Sequence, residues 1–407
     1  MDRYTSLLGI ATLLVLAWLM SSYKSRIPWR TIFGGLILQF ALALAILKTE
    51  YGQLAFAKIN DAFVALLGCV DAGSDFVFGA GFAEHYFAFK VLPTIIFFSA
   101  FMSIFYYYGV IQIIVGAMAK VMQVTLRTSG AETLSSAANV FVGQTEAPLV
   151  IRPYISSMTM SELNAVMVGG FATMAGGVLG ALAGMGINAG HLLAASVISA
   201  PGALLLAKIM QPEVDEPKTM GSVKLDIKDP STNVLEAIAN GTVGGLQLAL
   251  NVGAMLIVFI ALIAVVNLIL GGIGGYWGRG DISLQMILGY LFYPIAWLIG
   301  IERGDCQQAG QLLGMKMATN EFVAYGEFAK MQKLEISVPG AISERTRAIM
   351  TYALCGFANF SSIGIQLGGI GGLAPERRPD LAKLGLRAML GGTMASLLTA
   401  SIAALLM

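Results

Sequence analysis

The chain has 407 residues, 57% of them hydrophobic and only 12% charged, with a formal net charge of +1. A water-soluble domain carries about 25% charged residues, so this balance excludes a soluble fold and points to an all-α polytopic membrane protein. No basic stripe suits a nucleic acid, and three scattered cysteines and two histidines lack metal-ligand spacing, which removes polyanion binding, zinc and redox chemistry from the leading readings.

A crossing helix needs ~20 mostly apolar residues. Runs of this kind at 4–22, 31–48, 90–110, 162–186, 189–210, 242–271, 343–369 and 383–406 predict eight transmembrane helices. The first has no small-residue cleavage site after it and reads as an uncleaved span. Residues 50–70, EYGQLAFAKINDAFVALLGCV, keep their apolar positions to one side with Lys58, Asn60 and Asp61 interrupting, the pattern of an interfacial helix. Lys24, Arg26 and Arg30 follow the first run, Lys120 and Arg127 the third, and Arg377, Arg378 and Lys383 precede the last. The positive-inside rule places these in the cytoplasm and both termini outside. The polar stretch 213–241 reads as a cytoplasmic linker, with a helix starting after DPSTN. Residues 283–301 are long enough to cross, but counting them would put Arg377 and Arg378 outside, so they are read as interfacial or re-entrant.

Two passages echo one another. SELNAVMVGGFATMAGG begins at 161 and SERTRAIMTYALCGFANFSS at 343; each opens on Ser-Glu, a helix-start signal, and each reaches Gly-Phe-Ala followed by a polar residue, Thr173 or Asn359. Before each lies a segment too polar to cross alone, AETLSSAANVFVGQTEAPLVIRPY and DCQQAGQLLGMKMATNEFVAYGEFAKM. Paired interrupted segments predict an inverted repeat with two re-entrant helical hairpins whose tips meet near the midplane.

An acid at the bilayer centre costs at least ~2.5 kcal/mol, so Glu146 and Glu321 must face protein, water or ligand. Joined tips would gather Gln144, Thr145, Glu146, Asn320, Glu321, Asn359 and Ser362, an inventory of carboxamides, carboxylates and hydroxyls that fits a neutral, hydrogen-bond-rich ligand. Arg152 and Lys330 lie beyond the tips, so no anion clamp is evident. Phe357 reads either as core or as a ring partner. Asn139 and Thr173 could add side-chain oxygens to carbonyls freed at a helix break, a donor set for sodium. GRGD at 278–281 matches the pattern of intramembrane aspartyl proteases, but Asp281 sits in a Gly-rich turn and no long apolar run holds a second aspartate. A channel is the other rival, and two dissimilar tips fit alternating access better.

GQTEAPLVIRPY, NEFVAY and CGFANFSSIG together resemble the signature segments of the concentrative nucleoside transporters, in order and spacing over nearly the whole chain. The resemblance implies a homotrimer with a fixed scaffold and a moving transport domain, and the absence of a long tail or targeting segment suggests a bacterial inner membrane. Residues 1–110 would form the first scaffold part, 111–212 the first transport half, 213–275 the linker and a scaffold span, and 276–407 the second transport half. It implies base contacts at Gln144, Thr145 and Val178 with Glu146 nearby, and ribose contacts at Glu321, Asn359 and Ser362 with Phe357 beside the sugar. Sodium, the coupling ion, would take Asn139, Val142, Thr173 and Met174; no other cofactor is implied. Thr173 stands where the family has Ser as often, and the hydroxyl is kept.

Overall fold

The computed structural model describes residues 2–220, 231–276, 278, 280–334 and 341–407, and these are helical with no strand among them. The chain begins with α1 (Asp2–Leu19), α2 (Trp29–Leu47) and α3 (Glu50–Phe78); a 3₁₀ turn and a π turn then lead into α4 (Leu92–Tyr107) and α5 (Val110–Leu126). Four shorter helices follow, α6 (Gly130–Ala138), α7 (Ala147–Val150), α8 (Arg152–Ile155) and α9 (Met160–Ala172), then α10 (Gly176–Gly184) and α11 (Ala189–Met210). Beyond the linker stand α12 (Val234–Gly275), α13 (Leu284–Leu298), α14 (Cys306–Ala318), α15 (Glu321–Gln332), α16 (Glu344–Ala353), α17 (Phe360–Leu373) and α18 (Arg378–Leu406).

Among the described residues, seven helical stretches are long and apolar enough to cross a bilayer. Six coincide with predicted runs. The run at 4–22 contributes only a short apolar helix, Tyr4–Leu19, and the run at 343–369 is divided between α16 and α17. The seventh is α3, expected over 50–70 in the interface: it continues through 71–78 to a length of 29 residues, which is enough to cross. By contrast α13, expected to be interfacial or re-entrant, has 15 residues and spans about 22 Å, less than the hydrocarbon thickness.

Burial separates inner from outer helices. In the most apolar 18 residues of Met160–Gly184 and of Ala189–Met210, 89% of the residues are buried, against 17% in Val234–Gly275 and 6% in Glu50–Phe78, so α12 and α3 present most of their apolar side chains outward. The inner group is built by α11 packing on α2, α9 and α18, while α4 lies along α12. Its helices are rich in Gly, Ala and Ser, which lets backbones approach closely where lipid offers no hydrophobic driving force.

Local signals explain several boundaries. Asn233, the last residue of DPSTN, starts α12 by accepting the Glu236 N–H at 3.0 Å. Ser343 starts α16 in the same way. In the first copy of the echo the cap is instead Thr159, because Thr159 and Glu162 form a capping box that satisfies both ends at once; Ser161 sits inside the first turn and donates to the Gln211 carbonyl. One buried charge group anchors the base of this half: Lys208 lies 2.7 Å from Glu132 at the start of α6 and 3.1 Å from Glu213, and donates to Ser161.

The order of elements occurs twice: helix, tip, helix, interrupted helix, long helix, first over α6 to α11 and again over α14 to α18. The long helices carry a further echo, ASVISA at 195–200 and ASLLTA at 395–400, and their corresponding hydroxyls, Ser199 and Thr399, bond to each other at 2.8 Å.

Candidate functional site

Two tips and two breaks build the site. In the first tip, α6 ends at Ala138 with Asn139 as its C-cap, and the chain turns through 140–146 before α7 begins at Ala147, with Pro148 in its first turn. In the second, Asn320 starts α15 by accepting the Val323 N–H at 2.9 Å. Helix α9 ends at Ala172, and Thr173 is extended; α16 ends at Ala353, and Asn359 restarts the chain as α17 by accepting the Ser362 N–H at 2.9 Å. The breaks touch at Gly356. Its φ is +94°, and a Cβ there would stand 2.5 Å from the Phe171 carbonyl oxygen, so only glycine fits.

Between tips and breaks lies a cavity of about 350 Å³, the lower end of the small-ligand range. It brings together all eight positions expected to meet substrate: Gln144, Thr145 and Glu146 from the first tip, Val178 from α10, Glu321 from the second tip, and Phe357, Asn359 and Ser362 around the second break. Asn320 lines it too. Glu321 is only 5% exposed, and Asn359 Nδ2 donates to its Oε2 at 2.9 Å. Asn359 thereby serves α17 with its oxygen and the carboxylate with its nitrogen. Glu146 is the exposed member, at the rim. No lysine or arginine lines the cavity among the described residues, so the site offers hydrogen bonds without a countercharge for an anion. Phe357 is buried yet reaches the cavity wall, which joins its two sequence readings.

The positions expected to hold sodium gather where the first tip meets the first break. Gly176 N–H donates to the Phe141 carbonyl at 3.0 Å, clasping break to tip, and Val142 follows in the tip, half-buried. Thr173 Oγ1 donates to the Gly169 carbonyl at 2.9 Å, and Met174 N–H to Ser196 Oγ at 3.3 Å. Asn139 Nδ2 donates to the Ser135 carbonyl at 3.0 Å, while its Oδ1 is buried with no protein partner. Such an oxygen costs about 1–3 kcal/mol unless something meets it, and a hard cation among carbonyl and hydroxyl oxygens would do so.

The family signature of the Na+ dependent nucleoside transporter C-terminus matches residues 191–404. The chain belongs to the concentrative nucleoside transporter family. The signature of the N-terminus of these sodium-dependent transporters matches residues 8–81, and one described as nucleoside recognition, a gate, matches 88–189. An uncharacterized transporter of Haemophilus influenzae is 48% identical over all of this chain and 98% of its own length. Sodium/nucleoside cotransporter 1 of Rattus norvegicus is 44% identical over all of this chain, which spans 64% of the rat protein. Among solved structures, CNTnw in an inward-facing substrate-bound state superposes with a TM-score of 0.93 at 44% identity, covering 100% of this chain and 98% of that one. A doubly substituted variant of CNTnw in an outward-facing state gives 0.93 at 43% identity, covering 100% and 97%. Family membership and the apolar helices make this a multi-pass membrane protein.

Three further groups of this family member escaped the sequence reading. Gln366 of α17 is fully buried and donates through Nε2 to Gln144 Oε1 at 3.0 Å and to the Met167 carbonyl at 3.1 Å. Gly170 leaves room for it, since a Cβ there would lie 2.8 Å from that nitrogen. Gln247 and Asn251 of α12 line the cavity and bond to each other at 3.1 Å. Lys316 of α14 is buried against the break in α16. Gln366, Gln247 and Asn251 are polar residues within apolar helices and Lys316 is a buried charge, placements that cost free energy and mark functional candidates. Asp281 is exposed in the turn between α12 and α13, away from the cavity; the adjoining Arg279 lies outside the described residues.

Proposed function

We propose that the protein is a secondary active importer of nucleosides, driven by sodium symport through an elevator-type alternating-access movement. The observation that carries this reading is the meeting of two hairpin tips and two helix breaks around one cavity that holds a buried carboxylate and no basic group. Glu321, with Asn359 and Ser362, accepts and donates to the ribose hydroxyls, and Phe357 covers the sugar. Gln144, Thr145 and Val178 take the base, with Glu146 at the rim. Sodium sits among Asn139, Val142, Thr173 and Met174. The unpartnered Asn139 oxygen supports that placement.

The twice-repeated order of elements and the Ser199–Thr399 bond support an inverted repeat whose hairpins enter from opposite leaflets. In this reading 1–110 and the span within 213–275 form the scaffold, and 111–212 with 276–407 form the moving part. The outward apolar faces of α12 and α3 suit lipid and the contacts of a homotrimer. The site lies in a bacterial inner membrane with both termini periplasmic. One sodium ion moving down a potential of 100 mV supplies ~2.3 kcal/mol, enough for roughly fiftyfold accumulation of a neutral solute.

Proton coupling is the second reading, favoured by the exposed Glu146 carboxyl at the rim. Uridine uptake into proteoliposomes, with sodium exchanged for choline at fixed pH, separates the two. Sodium symport predicts loss of concentrative uptake in choline; uptake that persists there and follows an imposed pH gradient selects the proton. Absence of saturable uptake and counterflow under either gradient would remove the transport reading.

A further inference from the structure

One wall of the cavity is formed by the first tip but is held from the second half of the chain. Helix α17 lies behind that tip, and two of its residues one turn apart meet two successive tip residues. Gln366 meets Gln144, and a Cβ on Gly369 would stand 2.8 Å from Thr145 Cγ2. Gly170 of α9 closes a further side: a Cβ there would lie 2.8 Å from Gln366 Nε2 and 3.0 Å from Gln144 Cβ. The two amides are packed against bare backbone, with little room to turn.

The bond between them has a fixed direction. An amide nitrogen only donates, an amide oxygen only accepts, and a backbone carbonyl only accepts. The Met167 carbonyl lies 3.1 Å from one end of the Gln366 amide, so that end is the nitrogen. The same nitrogen lies 3.0 Å from the Gln144 amide, so the end of Gln144 turned toward it is the oxygen. Gln144 is left with its nitrogen for the cavity it lines, and Nε2 finds no partner among the described residues. Gln366 itself is fully buried, and its own Oε1 has no protein partner. A side chain that served only to fill this space would be apolar and would strand no oxygen. What the glutamine adds is an NH2 group aimed at Gln144 and Met167.

We propose that Gln366 is a positioning residue for substrate selection: it holds the Gln144 amide with its nitrogen toward the cavity, so the site takes nucleosides that turn an oxo group, not an amino group, toward the first tip. The proposal rests on the nucleoside reading above. With the ribose on Glu321, Asn359 and Ser362, the base reaches across to Gln144 with the ring atom opposite the glycosidic nitrogen foremost. In uridine that atom carries an oxo group, which accepts from Gln144. In cytidine it carries an amino group, which sets donor against donor and leaves both unpaired.

Calorimetry on the full, purified chain at saturating sodium tests this, with uridine and cytidine as probes. The unaltered protein binds uridine at least ~tenfold more tightly than cytidine. Equal affinities, or a preference for cytidine, overturn the proposal. Gln366→Leu frees the Gln144 amide to turn either end to the base. Uridine then loses a little affinity, cytidine gains, and the ratio between them falls to within about threefold. A merely structural Gln366 would weaken both nucleosides alike, so an unchanged ratio in the variant overturns the proposal. Gln366→Met, whose flexible chain fills the same space, stands in should the leucine variant fail to fold. If neither folds, the ratio in the unaltered protein decides alone. Unaltered protein that binds neither nucleoside would sink the nucleoside reading itself, a distinct result.

Discussion

Glu321 and Asn139 are both buried polar groups of the candidate site, but the protein has prepared them differently. One carboxylate oxygen of Glu321 is met by Asn359, so the side chain is held in place and presented to the cavity. Glu321→Gln replaces a carboxylate with a group that has one acceptor oxygen, and sets a second amide against that of Asn359. Uridine affinity should fall on the order of a hundredfold, since hydrogen bonds to charged groups are worth ~1.5–3 kcal/mol each. Calorimetry on the folded variant checks it, and unchanged affinity would take Glu321 out of the site. Asn139 Oδ1 has no protein partner and Nδ2 meets only the Ser135 carbonyl, which the Asn139 N–H also serves, so Asn139→Ala should leave the fold intact and raise the sodium midpoint of uridine binding by roughly tenfold, with affinity recovering at saturating sodium. An unmoved midpoint would place the ion elsewhere. The acids and amides of the tips were legible because charge inside a greasy chain demands a reason. Gln366 and Lys316 were not, because their partners are a side chain and backbone carbonyls from distant segments, and nothing in the sequence ties residue 366 to 144 or 316 to 355.

Among the elements, the interrupted helices decide the geometry of the cavity, and their interruptions were the least visible feature. The runs at 162–186 and 343–369 read as continuous because Thr173, Met174, Leu354 and Cys355 carry no charge and no proline stops them. Only the repeated Gly-Phe-Ala marked the places, and the structure puts the second copy's glycine on the first copy's carbonyls. Gly356→Ala therefore meets two obstacles at once, a positive φ that costs an L-residue ~1–2 kcal/mol and a backbone oxygen that cannot swing aside. Its melting temperature in detergent should drop by several degrees, with uridine binding weakened. Gly68→Ala in α3, where nothing lies within 4 Å, serves as the control and should melt no lower than the unaltered protein. Equal melting of the two variants would mean that the breaks do not bear on each other as described. The start of α9 was misplaced by two residues for a related reason: Ser161 and Thr159 are both capable caps, and only the reciprocal bond from Glu162 chooses between them.

At the scale of the molecule, composition and run length were enough for an all-helical membrane protein. They could not sort helices that face outward from helices sealed inside, because in a bilayer protein both are apolar. α12 and α11 read alike as hydrophobic runs, yet of their most apolar 18 residues 17% are buried in the one and 89% in the other. Nor could hydropathy show that the long helices meet through hydroxyls. Ser199 and Thr399 occupy the same place in their respective halves and bond directly. A hydroxyl both gives and accepts a hydrogen bond, so a serine and a threonine can pair directly. Removing either hydroxyl leaves the other buried without this bond, so the closure of α11 on α18 depends on both at once.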